Sequence, residues 1–337
     1  MNTRKDTEVG KALKGDLSRR RFVGVTSMLV AGTALKLNAS CISDISANEP
    51  EPIIDIHQHT DYTGRDNKYL VQHQRAMGVT TTILLPAGRP MVSESTHNGL
   101  SNGLEAMVSG NKVACRFAEK HANKFFFGAN EVPDHPEAVK TIEKYLKRGA
   151  VVIGELKFGV ECDSREMQKI YQLAKGYNVP VLMHWQFQRY NYGFERFHTM
   201  LEKYPEVNFI GHAQTWWANI DKDNSDQTVM YPGGKLTPGG LTDRLLGDYP
   251  NMYGDLSAGS GFNALARDEG HAREFLARHQ DKLLFGSDCT DTGNNGVAAV
   301  DTACQGVRTI AEIRKLATTE QIERKILYEN AKKLFKI

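Results

Sequence analysis

The sequence predicts an α/β fold, a (β/α)8 TIM-type barrel with extra C-terminal helices, on three observations. From residue 51 onward eight short apolar runs alternate with helix-like stretches, the pattern of repeated βα units around a parallel sheet. The eight units occupy about 240 residues, close to the ~250 of a barrel built this way. No GxGxxG follows the first run, where Asp55-Ile56-His57-Gln58-His59 stands instead, and this disfavours an open doubly wound sheet.

The strand candidates, in order, are Ile53–Ile56, Thr81–Leu85, Phe125–Ala129, Val151–Leu156, Val179–Met183, Val207–Ile210, Asn251–Leu256 and Leu283–Phe285. Between them Lys112–Ala122, Pro136–Arg148, Arg165–Gly176, Phe194–Tyr204 and Leu241–Asp248 space apolar residues three and four apart, as amphipathic helices do. Asp134 and Ser164 stand as N-caps, and Gly149 and Gly176 as helix terminators. Asp221–Pro238, rich in Asp, Asn, Gly and Pro, reads as an extended loop. Two further helices, Asp301–Ala317 and Glu320–Phe335, are expected on the barrel's outside. No linker suggests a second domain, so residues 51–337 are read as one barrel domain behind an N-terminal segment, 1–50.

Composition bounds the function. Forty-two Lys and Arg against 40 Asp and Glu leave a net charge of +2, too small for a nucleic-acid binder. Hydrophobic residues at 40% are too many for a disordered chain. The first 36 residues hold 8 Lys/Arg and 3 Asp/Glu, leaving 34 against 37 in the remainder, about −3. In that segment Ser18-Arg19-Arg20-Arg21-Phe22-Val23 precedes an apolar run, Val23–Leu35, shorter than the ~20 residues needed to span a bilayer. It resembles a twin-arginine export signal. The resemblance implies use of the twin-arginine machinery, which moves folded proteins, and a periplasmic or cell-envelope destination. Cys41, after Leu37-Asn38-Ala39-Ser40, loosely resembles a lipoprotein processing site, so a lipid anchor there is the alternative to simple cleavage. Cys115, Cys162, Cys289 and Cys304 show no CxxC spacing. They are read as buried free thiols, not as a zinc site or disulfide framework. A homodimer is the base-rate expectation.

The chemistry concentrates at strand ends. His57 and His59 end the first strand, His184 the fifth, His212 the sixth and Asp288 the eighth. Barrel enzymes place their reacting groups at these C-terminal ends, and side chains two apart on a strand point the same way, so His57 and His59 can grip one ion together. Nitrogen donors with a carboxylate suit zinc and related divalent metals. A single buried histidine is more often hydrogen-bonded to a carbonyl than a ligand; the joint pattern carries the argument. The other histidines, His73, His97, His121, His135, His198, His271 and His279, fall in helices or loops, where exposed or capping roles are expected.

Five segments now resemble the amidohydrolase superfamily, particularly its type 2 branch of hydrolases and decarboxylases. They are Ile54-Asp55-Ile56-His57-Gln58-His59, Pro180-Val181-Leu182-Met183-His184, Phe209-Ile210-Gly211-His212, Leu284-Phe285-Gly286-Ser287-Asp288 and the closing stretch Ile326 to Phe335. The resemblance implies that His57, His59, His184 and Asp288 hold one or two divalent ions, zinc first and manganese second. It makes His212 a second ligand or a proton-transfer and polarising group. The superfamily uses a glutamate or a carboxylated lysine on the fourth strand to bridge two metals, which points to Glu155 or Lys157; a purely structural salt bridge between these two is the competing reading. The ion would activate water and polarise the substrate, with Asp288 moving the proton.

Candidates to face a small-molecule substrate follow the ligands: Trp185, Gln186, Gln188, Arg189 and Tyr190 after the fifth strand, and Gln214, Trp216 and Trp217 after the sixth. The tryptophans form either a flat wall for a ring or ordinary rim packing. Arg89, after the second strand, is a candidate for a substrate carboxylate. The expected function is a metal-dependent hydrolase of a lactone, ester, amide or related bond in a small cyclic or sugar-like molecule. The alternatives are a metal-dependent decarboxylase of an aromatic or sugar-derived acid and a non-catalytic exported binding protein. The intact ligand set disfavours the last.

Overall fold

Among the described residues eight parallel strands alternate with helices, and every ladder joins strands adjacent in sequence. The computed structural model describes residues 51–97, 107–290 and 304–337. The arginine-rich leader and Cys41 lie outside the described residues. The elements are β1 (Ile54–Gln58), α1 (Asn67–Ala76), β2 (Thr81–Leu84), α2 (Asn111–Lys120), β3 (Phe125–Phe127), α3 (Ala138–Leu146), β4 (Ile153–Leu156), α4 (Arg165–Tyr177), β5 (Val181–His184), α5 (His198–Lys203), β6 (Phe209–His212), α6 (Gln214–Ala218), α7 (Leu241–Asp248), β7 (Met252–Asp255), α8 (Ala258–Ala266), α9 (Glu269–Arg278), β8 (Leu283–Leu284), α10 (Gln305–Leu316), α11 (Glu320–Arg324) and α12 (Asn330–Phe335).

Regular ladders join β1-β2-β3 and β4-β5-β6-β7-β8. Backbone bonds stitch the two seams. Val151 N–H donates to Phe127 O (2.9 Å) and Gly154 N–H to Ala129 O (3.0 Å) between the third and fourth strands. Ile56 N–H donates to Phe285 O (3.1 Å) and Asp288 N–H to His57 O (2.8 Å) between the eighth and first. The expected barrel is therefore the architecture found.

Ile54, Ile56, Ile83, Val152, Leu182, Ile210 and Leu284, from six different strands or their edges, meet in one apolar cluster that Ala331, Leu334 and Phe335 of α12 close. Side chains that converge from around a ring fill its interior. A second, larger cluster packs the outer strand faces against the helices. Of the expected caps, Ser164 accepts from Met167 N–H at the start of α4. Asp134 does not cap: α3 begins at Ala138, and the Asp134 carboxylate instead accepts from Ser93 and Ser95. Gly149 sits at φ +95 after α3, whereas Gly176 lies inside α4, which Asn178 ends at φ 51.

Helices α1, α6, α8 and α9 were not expected. In α1 the buried face includes His73 and Gln74 beside Leu70, so polar residues mask its apolar period; in α8 Gly and Ser lower the helix propensity. The stretch expected as one helix over Phe194–Tyr204 divides into a 3-10 turn, Phe194–Arg196, and α5. The closing helix runs as α11, a π-type turn at Lys325–Glu329, and α12.

Candidate metal centre

The strand ends bring His57, His59, Glu155, His184, His212 and Asp288 to one place. Register sets part of this directly, since His184 pairs with His212 across β5 and β6, and their rings lie 5.2 Å apart. The His57 ring is 5.1 Å from His59 and 4.5 Å from His212.

Three of the imidazoles are held by one nitrogen and present the other. His57 Nδ1 donates to Asp255 Oδ2 (2.7 Å) and His59 Nδ1 to the Leu85 carbonyl (2.7 Å). His212 Nδ1 meets Ser257 Oγ (2.9 Å), whose hydroxyl donates to Asp255 Oδ2 (2.9 Å). Such partners orient each ring and turn its Nε2 toward the centre, where an incoming cation can take the nitrogen. His57 Nε2 is buried without a hydrogen-bond partner. It lies 3.6 Å from Glu155 Oε2 and 3.9 Å from Asp288 Oδ1. His59 Nε2 lies 3.7 Å from Glu155 Oε2 and 3.5 Å from Asp288 Oδ1. His212 Nε2 lies 3.7 Å from Glu155 Oε1 and 3.9 Å from Asp288 Oδ2. Donors about 2.1 Å from a tetrahedral ion are about 3.4 Å apart, so these spacings fit a small divalent cation after slight closure.

Electrostatics point the same way. Burial pushes Glu155 and Asp288 up, but His184 and His57 on the first and His57 and His59 on the second outweigh it, leaving both carboxyls well below the usual range. Burial and then His57 push His212 down to about 3. Burial and then Lys157 lower His184. At His57, burial is outweighed by Asp288 and Asp255, which favour positive charge at that position. Ionised carboxylates facing a cluster of imidazoles, with positive charge favoured at His57, form a cavity suited to a cation. Two overlapping ligand groups result among the described residues, His57–His59–Asp288 and His57–Glu155–His212. Glu155 belongs to this centre, with one oxygen toward His57 and His59 and the other toward His184 and His212. Among the described residues no ion pair joins it to Lys157. His184 differs from its neighbours: its Nδ1 donates to Glu155 Oε1 (2.6 Å), and its Nε2 has the Gln186 side-chain amide 3.2 Å away.

Sequence reasoning passed over three of the surrounding groups. Asp255 ends β7 as the ligands end their own strands, and that position was its signal. Ser257 lies two residues on. Tyr62 carries no local signal, yet its hydroxyl donates to Asp288 Oδ1 (2.8 Å). Burial, then Asp288, hold its phenol far above its ordinary pKa, so it remains a donor. Asp288, Ala213 and Ala258, each at or just beyond a strand end, have positive φ (44, 81 and 60), the local strain that clusters at functional sites.

The substrate-facing candidates divide. Gln186 touches His184. Lys157 Nζ stands 5.4 Å over the Tyr190 ring, itself 5.4 Å from the His184 ring, and Arg189 reaches the same tyrosine at 6.0 Å. The expected tryptophan wall is not where the indoles lie. Trp185 packs edge-on to Phe197 and beside Phe194 in the outer core. Trp216 fills the space beside Gly211, where a Cβ would come within 2.4 Å of its ring. Trp217 is buried and donates to the Asp255 carbonyl (2.9 Å). Next to a strand-end ligand the following side chain points out of the barrel, toward the helices. Arg89 is likewise taken, its guanidinium bonded to Glu131 (2.9 Å) and Thr141 (3.2 Å). The histidines expected to be exposed or capping include three buried ones, His73, His271 and His279, while His135 does serve α3, accepting from Glu137 N–H. Beyond Gln186 a cavity of about 410 Å³ has a mainly apolar surface, with Phe187, Phe194 and Leu241 in its wall beside the amides of Gln188 and Asn191 and the acidic Glu195.

A family model described as amidohydrolase matches residues 54–337. No curated protein matches the sequence. Among solved structures, an uncharacterized TIM-barrel protein from Bordetella bronchiseptica superposes with a TM-score of 0.56 at 15% identity, covering 85% of this chain and 98% of its own. A probable 2-pyrone-4,6-dicarboxylic acid hydrolase from Acinetobacter baumannii, with citric acid bound, gives 0.54 at 13% identity, covering 85% and 99%. A 2,6-dihydroxybenzoate decarboxylase complexed with 2,6-dihydroxybenzoate gives 0.51 at 13% identity, covering 85% and 100%. At these identities the superpositions establish the fold.

Proposed function

The chain belongs to the amidohydrolase family, and from that premise we propose that it is a metal-dependent hydrolase of a lactone, ester, amide or related bond in a small cyclic or sugar-like molecule. The observation that carries the reading is the buried His57 Nε2, without a hydrogen-bond partner and faced by the oxygens of Glu155 and Asp288. His57, His59, Asp288, Glu155 and His212 would hold the metal, with zinc the first choice for this nitrogen and carboxylate set. When bound, a divalent cation supplies Lewis acidity toward water and toward a substrate oxygen.

The chain's own groups supply the rest. Asp288, kept ionised, has one oxygen fixed by the Tyr62 hydroxyl and the other near His212, which suits it to take a proton from water and pass it to a leaving group. With Ser257 committed to Asp255, His212 keeps its proton on Nδ1. Its Nε2 then acts as a ligand or proton acceptor, which favours those roles over donation to a substrate oxyanion. Gln186 and the cavity behind it, mainly apolar with a few amide groups in its wall, favour an uncharged cyclic substrate that carries a few polar substituents.

A decarboxylase is the second reading, favoured by Lys157 and Arg189 over Tyr190 on the His184 side, where a substrate carboxylate would find cationic partners. Both chemistries occur among the similarly folded proteins named above. The test is a screen of lactones, amides and aromatic or sugar acids in ¹⁸O-labelled water, before and after chelation. Hydrolysis predicts chelator-sensitive turnover with label in the product. Carbon dioxide release without label would replace it by the lyase, and full activity of metal-free protein would refute both.

A further inference from the structure

Four soft donors meet on the other side of the loop that carries Asp288. His73 projects from α1, and Met77 follows on the same side one turn later as the C-cap of that helix. Cys289 follows Asp288, and Cys304 is the N-cap of α10. All four are buried, none more than 7% exposed. His73 Nε2 lies 3.1 Å from Cys304 Sγ and 3.6 Å from Cys289 Sγ, and the two sulfurs are 3.7 Å apart. Met77 Sδ is 3.8 Å from Cys304 Sγ. Gly306 makes room for that thioether, because a Cβ there would come within 2.5 Å of it.

From this geometry we propose that His73, Cys289 and Cys304, with Met77 as the weak fourth donor, form a second metal site for one thiophilic d10 cation, zinc(II) or copper(I). A tetrahedral ion with bonds of about 2.3 Å to sulfur and about 2.05 Å to nitrogen separates two sulfurs by about 3.8 Å and a sulfur from a nitrogen by about 3.6 Å. The observed 3.7 and 3.6 Å lie at these values, and the 3.1 Å contact needs a movement of about half an ångström. Two thiolates, an imidazole and a thioether are the donors that soft ions select. The barrel centre, built of imidazoles and carboxylates, offers no sulfur donor. Cysteine binds such an ion as the thiolate, so binding displaces the thiol protons and the two sulfurs balance the cation's charge. The ion would join α1, α10 and the loop after β8 at a point where chain connectivity alone does not. The Cys289 carbonyl is already held from the other side by Gln58 (3.1 Å) and Arg65 (2.9 Å), so the ion would complete the fixing of the residue next to Asp288.

The test uses the full chain, purified without chelator and loaded with zinc(II) in one sample and with copper(I) under reductant in another. X-ray absorption at the metal edge should reveal a sulfur shell at about 2.3 Å in at least one of them, a signal the barrel centre cannot produce. A His57→Ala, His59→Ala variant should keep the sulfur-bound ion, about one per chain, while losing metal from the barrel. Cys304→Ser should lose the sulfur shell, and the wild-type spectrum stands if that variant does not fold. Only nitrogen and oxygen scatterers in both wild-type samples would overturn the proposal. So would isolation of the protein with a Cys289–Cys304 disulfide.

Discussion

The roles of two carboxylates separate at single residues. In the proposed reaction Asp288 serves both as a ligand and as the group that moves the proton. An Asp288→Asn substitution keeps an oxygen donor and removes the base, so turnover should fall by ~10²-fold or more while metal content is largely kept. Elemental analysis beside kcat checks this, and equal loss of both would make Asp288 chiefly a ligand. Asp255 touches no position where an ion would sit, yet it holds His57 Nδ1 and the Ser257 hydroxyl. Asp255→Asn should weaken metal affinity by roughly 10–100-fold, the usual consequence of loosening a ligand's outer partner, as read by competition with a chromophoric chelator. The two variants therefore differ in kind: one keeps metal and loses rate, the other loses metal first.

Among the elements, α7 and α9 are joined through one buried acid. Asp243 accepts from Arg278 (2.7 and 2.8 Å), from His279 Nε2 (2.5 Å) and from Gly239 N–H (3.1 Å). Burial alone would raise its pKa, but the His279 hydrogen bond and the Arg278 charge hold it down to about 2. A carboxyl depressed in the folded state stabilises above its unfolded pKa of about 4 and loses that contribution as pH falls toward 2. Tm should therefore drop between about pH 4 and 2 by more in the wild type than in Asp243→Asn. The variant should start lower at pH 7 by on the order of 1–2 kcal/mol, or a few degrees. Parallel curves for the two proteins would remove Asp243 from the account of acid stability. Helix–helix ties of this sort leave no local mark, because α7 reads correctly as a helix from its own period while its partner in α9 lies 35 residues away.

For the molecule as a whole, we propose that the N-terminal segment directs export through the twin-arginine route, motivated by Ser18-Arg19-Arg20-Arg21-Phe22 ahead of an apolar run and by the basic excess of the first 36 residues. Replacing Arg19 and Arg20 by Lys should leave the precursor in the cytoplasm, as checked by fractionation and immunoblotting; normal arrival at the envelope would end that reading. Export in the folded state would let the barrel take its metal before translocation.

Features readable along the chain alone are those of short-range order. Strands alternating with amphipathic helices are local patterns, and a ligand type at a strand's C-terminal end is a local fact, so the barrel and the group His57, His59, His184, His212 and Asp288 were legible from it, while Glu155 was left open against Lys157. Tertiary structure decided what depends on meetings across the chain. Asp255 reaches His57 over 198 residues, Tyr62 reaches Asp288 over 226, and His73 reaches Cys304 over 231. No periodicity spans such distances; only the closure of the barrel brings these groups together. The same closure sets which side chain beside a strand end turns inward. That is why His184 faces the centre while Trp185, one residue later, packs against Phe194 and Phe197 outside it.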